Sequence, residues 1–453
     1  MLNINTSAFH DYDIRGVYPS DVNEEFYYHL GKALATYVKT GPIAAGHDTR
    51  LSSPSCFAKL VEGITDYGLD VVDLGMISTE MHNFASGKYG FPANIVVSAS
   101  HNPPKYNGAK FLVKGVRALH GEFGLPEIKA LVNEELPKAA KKGTVTKKDI
   151  FNDWIEHALS FVDYKNFKKL KVVVDAGNGM GGPSWQEMIK RLNSEIVPLY
   201  LDPDGNFPNH IADPIKDENT ETLRQTVKDT KANLGIALDG DADRIFFVDE
   251  TGRKISGTLT TAIITDHLMK KQKGVYMYNA ICGRIVKEII EQAGNKPMRT
   301  RVGHSFIKSQ MQQYKGIFCG EHSGHFFYGA NYGAESSLIT GLLMIEILSQ
   351  TGKKLSELAD KFDKYVTSGE INFKVPDTHE MQKKIETRFA VGAESVDELD
   401  GVTAWFKDYW FNVRASKTEP LLRLNVEAKD TATLNKVKDE VIGFLLENGA
   451  VRK

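Results

Sequence analysis

Through roughly the first three quarters of the chain, short apolar runs rich in β-branched residues take turns with amphipathic stretches. The runs Pro42 to Ala45, Ile95 to Val97, Lys171 to Val174, Leu234 to Leu238, Val275 to Tyr278 and Gly316 to Cys319 predict buried strands. Glu24 to Val38, Phe57 to Tyr67, Ser184 to Leu192, Glu221 to Asp229 and Leu259 to Lys270 carry the helical repeat. Strand and helix in alternation imply a mixed or mainly parallel sheet, because parallel strands need a crossover between them, so the expected class is α/β. After Thr367-Ser368-Gly369 the rhythm changes. Two longer strand-like runs, Trp405 to Val413 and Leu421 to Val426, precede a helix from about Ala432 to Leu446, an α+β pattern. Polar breaks at Lys138 to Lys148, at Asp249-Glu250-Thr251-Gly252 and near Thr367 divide the chain into units 1–148, 149–250, 251–367 and 368–453. In each of the first three, a strand runs into a polar loop, at Ser100, Asp239 and Glu321. Ligands of open α/β sheets gather beyond the carboxyl ends of strands, so these loops are expected to face one cleft.

A chain of 453 residues exceeds one ordinary core, which agrees with several units. A formal net charge of -2 gives no general attraction for nucleic acid or anionic lipid, so an anionic ligand must be drawn by local charge. Cys56, Cys282 and Cys319 are far apart and odd in number, which fits neither a disulfide framework nor a regular zinc site; buried small hydrophobes are expected. No N-terminal apolar segment or long apolar run indicates secretion or a membrane span. The expectation is a cytoplasmic protein with small-molecule ligands, no nucleic acid, no membrane and no obligate protein partner.

The sharpest local signal is Asp239-Gly240-Asp241-Ala242-Asp243-Arg244, set between the strand-like runs Gly235 to Leu238 and Ile245 to Val248. Three carboxylates at alternate positions of a tight loop repel one another unless a cation sits among them, and a small set of hard oxygen ligands favours Mg²⁺. A calcium loop fits poorly: its sixth position would be Arg244 rather than Gly, and residues 245 to 248 are apolar. A second signal is Ser98-Ala99-Ser100-His101-Asn102-Pro103-Pro104, where two prolines stiffen the exit from a loop led by Ser100. By itself this is either a turn or a nucleophile site. Neighbouring side chains on a strand point apart, so Ser100 and His101 are not an obvious catalytic pair. Tyr12 to Gly16, Gly46 to Arg50, and Arg414-Ala415-Ser416-Lys417-Thr418 each put cations or hydroxyls in a loop, as phosphate binding requires, although solvated turns look the same. Asp175 to Gly182 lacks both dinucleotide and P-loop spacing and reads as a tight strand-to-helix turn. Glu321-His322-Ser323-Gly324-His325 offers a carboxylate and a hydroxyl suited to sugar hydroxyls, or a helix-capping turn.

In this order the motifs resemble the α-D-phosphohexomutase superfamily, most nearly its phosphomannomutase/phosphoglucomutase branch, from about Phe9 to the C-terminus. The resemblance implies three similar α/β domains and a smaller C-terminal domain around a central cleft. It implies interconversion of hexose 6-phosphate and hexose 1-phosphate, of mannose or glucose, through a phosphoserine and a hexose 1,6-bisphosphate. Ser100 is then the phosphoserine and, with Asp239, Asp241 and Asp243, holds Mg²⁺. Lys110 is the general base, provided its pKa is lowered, with Arg15, His101 and Arg244 beside the reacting group. Glu321 and Ser323 hold sugar hydroxyls, His304 and His325 touch sugar or phosphate, and Arg414, Ser416, Lys417 and Thr418 grip the non-reacting phosphate.

The chain departs from the family pattern at Ala99 and Ala242, where Gly is common, at Lys417, where Asn is usual, and at His322, in a variable place tied to sugar choice. The Tyr12-to-Gly16 opening differs from the Gly-Thr-Asp-Gly form of the glucosamine branch. The rival functions are a phosphoglucosamine mutase, a metal-dependent sugar phosphatase and a non-catalytic sugar-phosphate binder.

Overall fold

The computed structural model describes residues 2–416 and 421–453. Its first sheet contains β1 (Ile14–Val17), β2 (Ile43–His47), β3 (Val71–Met76), β4 (Ala93–Val97), β5 (Tyr106–Val113), β6 (Arg117–Ala118) and β7 (Val145–Lys147), in the order β1-β5-β4-β2-β3-β7 with β6 on β5. The second holds β8 (Lys171–Asp175), β9 (Glu195–Leu199), β10 (Leu234–Leu238), β11 (Ile245–Asp249) and β12 (Lys254–Ile255), ordered β12-β11-β10-β8-β9. The third holds β13 (Val275–Asn279), β14 (Lys296–Thr300), β15 (Gly316–Gly320), β16 (Phe326–Tyr328) and β17 (Ala334–Glu335), ordered β14-β13-β15-β16-β17. The expected α/β class holds for all three.

One local pattern recurs in them. β4, β10 and β15 each pair in parallel with a neighbour on one side and antiparallel with the next strand in sequence on the other. The turns that reverse direction are those at Ser100, Asp239 and Glu321. Central position explains why these strands read so clearly: every residue of β4 and β10 is buried, which demands the continuous apolar runs seen in the sequence.

The fourth sheet is β18 (Val366–Lys374), β19 (Ser395–Asp397), β20 (Val402–Trp405), β21 (Tyr409–Ala415), β22 (Leu422–Ala428) and β23 (Val451–Arg452), antiparallel in the order β19-β20-β21-β22-β18-β23. The helices Thr378–Phe389 and Thr431–Glu447 pack against it. Here the sequence misled in one respect. Trp405 to Val413 is not one strand, because a hairpin at Phe406 to Asp408 folds β21 back on β20. Two of the expected breaks also move. β12 still pairs with β11, and β18 already starts at Val366, so the second sheet runs past residue 250 and the fourth begins before 368. Two-residue edge strands after a polar turn carry too little apolar pattern to be told from loop.

One hydrophobic core runs through the first three units, from Ala44 and Phe84 through Trp154 and Trp185 to Phe318 and Leu342. The fourth has a core of its own around Phe373, Phe411 and Val441. Arg284 ties it to the third unit, donating to the carbonyls of Phe406, Lys407 and Tyr409 at 2.9, 2.9 and 3.1 Å. All three cysteines are free and buried, as expected. No helix among the described residues is long and apolar enough to cross a membrane.

Candidate active site

Ser100 stands just past β4 with φ +52°, so the chain leaves the strand geometry at this residue. That is why adjacent side chains can meet here: Ser100 Oγ lies 3.1 Å from His101 Nδ1, and it donates to Asp239 Oδ2 at 3.3 Å. Burial, followed by the charges of Arg244 and Arg15, pushes the His101 pKa far down, so its ring is neutral. The loop is pinned from beneath by Arg50. Its guanidinium, fully buried, donates to the carbonyls of Ser100 and Asn102 at 2.8 and 2.6 Å and to those of Pro103 and Tyr106 at 2.8 and 3.0 Å. The Gly46 to Arg50 motif is therefore not a phosphate loop, because its cation is already committed to the serine loop and to Asp48.

Across from Ser100, Asp239, Asp241 and Asp243 are all buried and can place one carboxylate oxygen each within 4.8 Å of the others. Asp239 Oδ1 accepts from the backbone N–H groups of Asp243 and Arg244, both at 3.1 Å, which curls the loop around it. Gly240 is required by contact: a β-carbon there would stand 2.6 Å from the Ser100 carbonyl oxygen. Burial, then the charges of Asp243 and Asp241, drives the Asp239 pKa well above the carboxylate range. Among the described residues, Asp241 Oδ1 accepts no hydrogen bond, and Asp243 Oδ1 meets only the His325 ring at 3.3 Å. A buried carboxylate oxygen without a donor, in a group of three carboxylates, fits a hard divalent cation.

Lys110 comes up from β5, its Nζ 2.6 Å from both Asp241 Oδ2 and Asp243 Oδ2. Burial alone would lower its pKa, but the two aspartates more than reverse that, and the amine is held as an ammonium well above its ordinary value. The lowering expected of a general base is absent from this arrangement. Arg15 donates to Asp13 at 3.0 and 2.8 Å and to Asn102 at 2.8 Å, which places it against the serine loop. Arg244 Nε is 3.8 Å from Asp239 Oδ2.

The sugar-loop candidates form a connected set. His325 Nδ1 lies 3.1 Å from Glu321 Oε2 and 3.0 Å from Ser323 Oγ, while its Nε2 faces Asp243. Burial opposes its charge, but Asp243 and Glu321 together push its pKa up to about 9. Glu321 Oε1 accepts from Asn279 at 3.1 Å and from the Gly303 N–H at 3.3 Å, at the start of the helix His304–Gln313. His304 is held between Tyr12 and His325, ring centroids 6.1 and 6.3 Å away. The motif is thus the reversing turn between β15 and β16, not a helix cap. Arg414, buried on β21, pairs with Glu370 at 3.1 Å, and the Ser416 N–H donates to Leu421. Lys417 and Thr418 lie outside the described residues.

The sequence did not single out Thr79. It begins the helix Thr79–Tyr89 after β3; its N–H donates to the Asp241 carbonyl at 3.0 Å and its hydroxyl bonds the Asp241 carboxylate. Its signal was the end of β3, a strand the apolar pattern did not reveal.

A serine hydroxyl, three convergent carboxylates and a ring of cations in the cleft of a multi-unit α/β protein define an enzyme of phosphoryl transfer. The phosphoglucomutase/phosphomannomutase family matches in four parts: alpha/beta/alpha domain I over residues 6–138, domain II over 152–252, domain III over 256–365, and the C-terminal domain over 370–443. The chain belongs to this family. It is 36% identical over 454 residues to the phosphohexose mutases of Xanthomonas campestris pv. campestris (strain B100), with 97% of this chain and 99% of the relative covered. To a phosphomannomutase of Methanocaldococcus jannaschii it is 36% identical, with 96% of each covered. A crystal structure of a phosphoglucomutase/phosphomannomutase family protein from Burkholderia thailandensis superposes with a TM-score of 0.91 over all of both chains, at 30% identity.

Proposed function

We propose that this phosphohexomutase interconverts the 6- and 1-phosphates of mannose or glucose, with Ser100 as the phosphoryl carrier. The observation that carries the proposal is Ser100 Oγ at 3.3 Å from Asp239, the first of the three buried aspartates. Asp239, Asp241, Asp243 and the phosphorylated Ser100 would hold Mg²⁺, which when bound offsets negative charge on the phosphoryl oxygens. Arg15, Arg244 and Lys110 add fixed positive charge beside the transferred group, where no reorganisation is needed as charge develops. Lys110, held as an ammonium, could take the proton of the attacking sugar hydroxyl only after handing on its own, and over the whole transfer that proton ends on Ser100 Oγ as the serine oxygen leaves. Neutral His101 bonds the serine oxygen and orients it.

Glu321 and Ser323, braced by His325, would take the sugar hydroxyls, with His304 alongside. Arg414 and Ser416, and Lys417 and Thr418 beyond them, would grip the distant phosphate. Phosphoryl transfer from Ser100 gives a hexose 1,6-bisphosphate, which turns end over end and returns its other phosphoryl to the serine. Atoms balance without water, so the same site need release no phosphate.

A coupled assay with mannose, glucose and glucosamine phosphates, run beside a free-phosphate assay, tests this. Isomerised mannose or glucose phosphate is expected, with little phosphate released. Ser100→Ala should lose nearly all turnover and still bind substrate; full activity in that variant would remove Ser100 from the mechanism.

A further inference from the structure

One histidine–carboxylate pair, touching neither Ser100 nor any of the three aspartates, lies directly beneath the carboxylate loop. β8 and β10 are parallel neighbours with Asp175 in register with Ala237, so the residues following each strand emerge side by side. His210 Nε2 lies 3.0 and 3.1 Å from the two oxygens of Asp175, which is 2% exposed, and its Nδ1 lies 3.0 Å from the Ile211 carbonyl oxygen. A carboxylate can only accept, so His210 Nε2 carries a proton and donates to Asp175. Asp175 Oδ1 also accepts from the Gly177 N–H at 2.9 Å. The pair thus fixes two loops, one at Ala176 to Gly181 and one at His210 to Asp213, against each other. A β-carbon on Gly177 would stand only 2.9 Å from that of Ala212.

Both loops then hold the residue between the first two aspartates. The Gly240 N–H donates to the Ala212 carbonyl at 3.1 Å, and the Gly240 carbonyl accepts from the Met180 N–H at 2.9 Å. Gly240 has no side chain through which it could be anchored otherwise, so these two bonds set where its backbone lies. The carboxylates of Asp239 and Asp241 follow from it.

We propose that His210 and Asp175 are positioning residues for the divalent cation, holding the loop at the separation at which its carboxylates converge. The proposal rests on the assignment of Asp239, Asp241 and Asp243 as the cation's ligands. Residues that orient ligands from behind are worth roughly 10- to 100-fold in metal affinity.

The test is Mn²⁺ binding to the purified full chain, followed by electron paramagnetic resonance at one pH, with Mg²⁺ affinity obtained by competition. His210→Phe keeps the ring shape and its edge contact with Tyr200 while removing both hydrogen bonds, and is expected to weaken Mn²⁺ binding about tenfold or more. His210→Gln, which can still donate to Asp175, should recover part of that loss. In turnover, the metal concentration for half-maximal rate should shift by the same factor while kcat at saturating metal stays near the parent value, a split that general destabilisation would not give. If His210→Phe does not fold, Asp175→Leu, close in size but able to accept from neither His210 nor Gly177, decides the matter. Parental Mn²⁺ affinity in a folded His210→Phe or Asp175→Leu chain overturns the proposal. Asp241→Asn serves as the separate control: if it binds Mn²⁺ like the parent, the ligand assignment itself has failed, whatever the His210 variants do.

Discussion

Ala242 holds φ +62° in the carboxylate loop, a left-handed conformation that crowds an L residue's β-carbon against its own backbone. Relief of that strain in Ala242→Gly is offset by loss of a fully buried methyl and by the freer unfolded chain of glycine, so the stability of the metal-free chain, read from its urea midpoint, should change by less than about 1 kcal/mol. A loss of about 2 kcal/mol or more would mean the methyl's packing dominates. Arg50 acts on the serine loop. Replacing it with Ala removes a donor from four carbonyl oxygens in and beside the serine loop, and a misplacement of Ser100 by about 1 Å is enough to lower kcat about 100-fold. Arg50→Ala should show that loss with a smaller change in KM, and an unchanged kcat would mean the loop holds itself. Both residues mark the limit of what the sequence makes legible at this scale. The carboxylate spacing announced a group able to hold a cation, since three acids at alternate positions are tolerable only beside positive charge, which Lys110 and His325 supply in part. Arg50 looked like one more loop cation, because whether a guanidinium faces solvent, phosphate or carbonyls depends on segments about fifty residues away.

Helix termini provide the joints between units. Glu80, in the first, reaches across to the start of the helix Ser337–Thr351 in the third, where it accepts from Ser336 Oγ at 2.8 Å and the Leu338 N–H at 3.1 Å. Burial raises its pKa to about 7, against partly offsetting hydrogen bonds. A carboxyl whose folded-state pKa lies above its unfolded value of 4.5 favours the folded chain while protonated. Stability should then fall as pH rises from about 4.5 through 7, by up to about 3 kcal/mol for a shift of this size. Glu80→Gln, neutral throughout, should flatten that fall; thermal midpoints at pH 5 and pH 8 provide the comparison, and equal slopes in both proteins would rule Glu80 out. At this scale the central strands were legible and the edges were not. β4 and β10 announce themselves by being buried on both faces, whereas β7, wholly exposed, and the two-residue β12 carry no such pattern. The join of β20 to β21 was missed because both flanks of its hairpin are aromatic, which makes a turn look like more strand.

The cores of the molecule differ in reach: one runs through the first three units, another lies within the first around Phe26, Leu60 and Ile95, and another lies within the fourth. The one shared by the first three units makes them a single cooperative body, while the fourth keeps its own. Hydrogen exchange should therefore show amides of β20 to β22 opening as a group at lower denaturant than those of β4, β10 and β15; simultaneous opening would mean the junction at Arg284 is as strong as the shared core. The number of units and the presence of a cleft followed from chain length and from polar loops at strand ends. Which units fuse could not be read, because apolar residues facing a neighbouring unit look the same in sequence as those facing their own sheet. The separate fourth core bears on how an intermediate can be turned over without being lost. A tilt of that plate would carry Arg414 back from the cleft and widen it, leaving serine, carboxylates and sugar loop locked in the rigid block. Slack and accuracy, which one continuous body could not combine, are thereby assigned to different parts of the same chain.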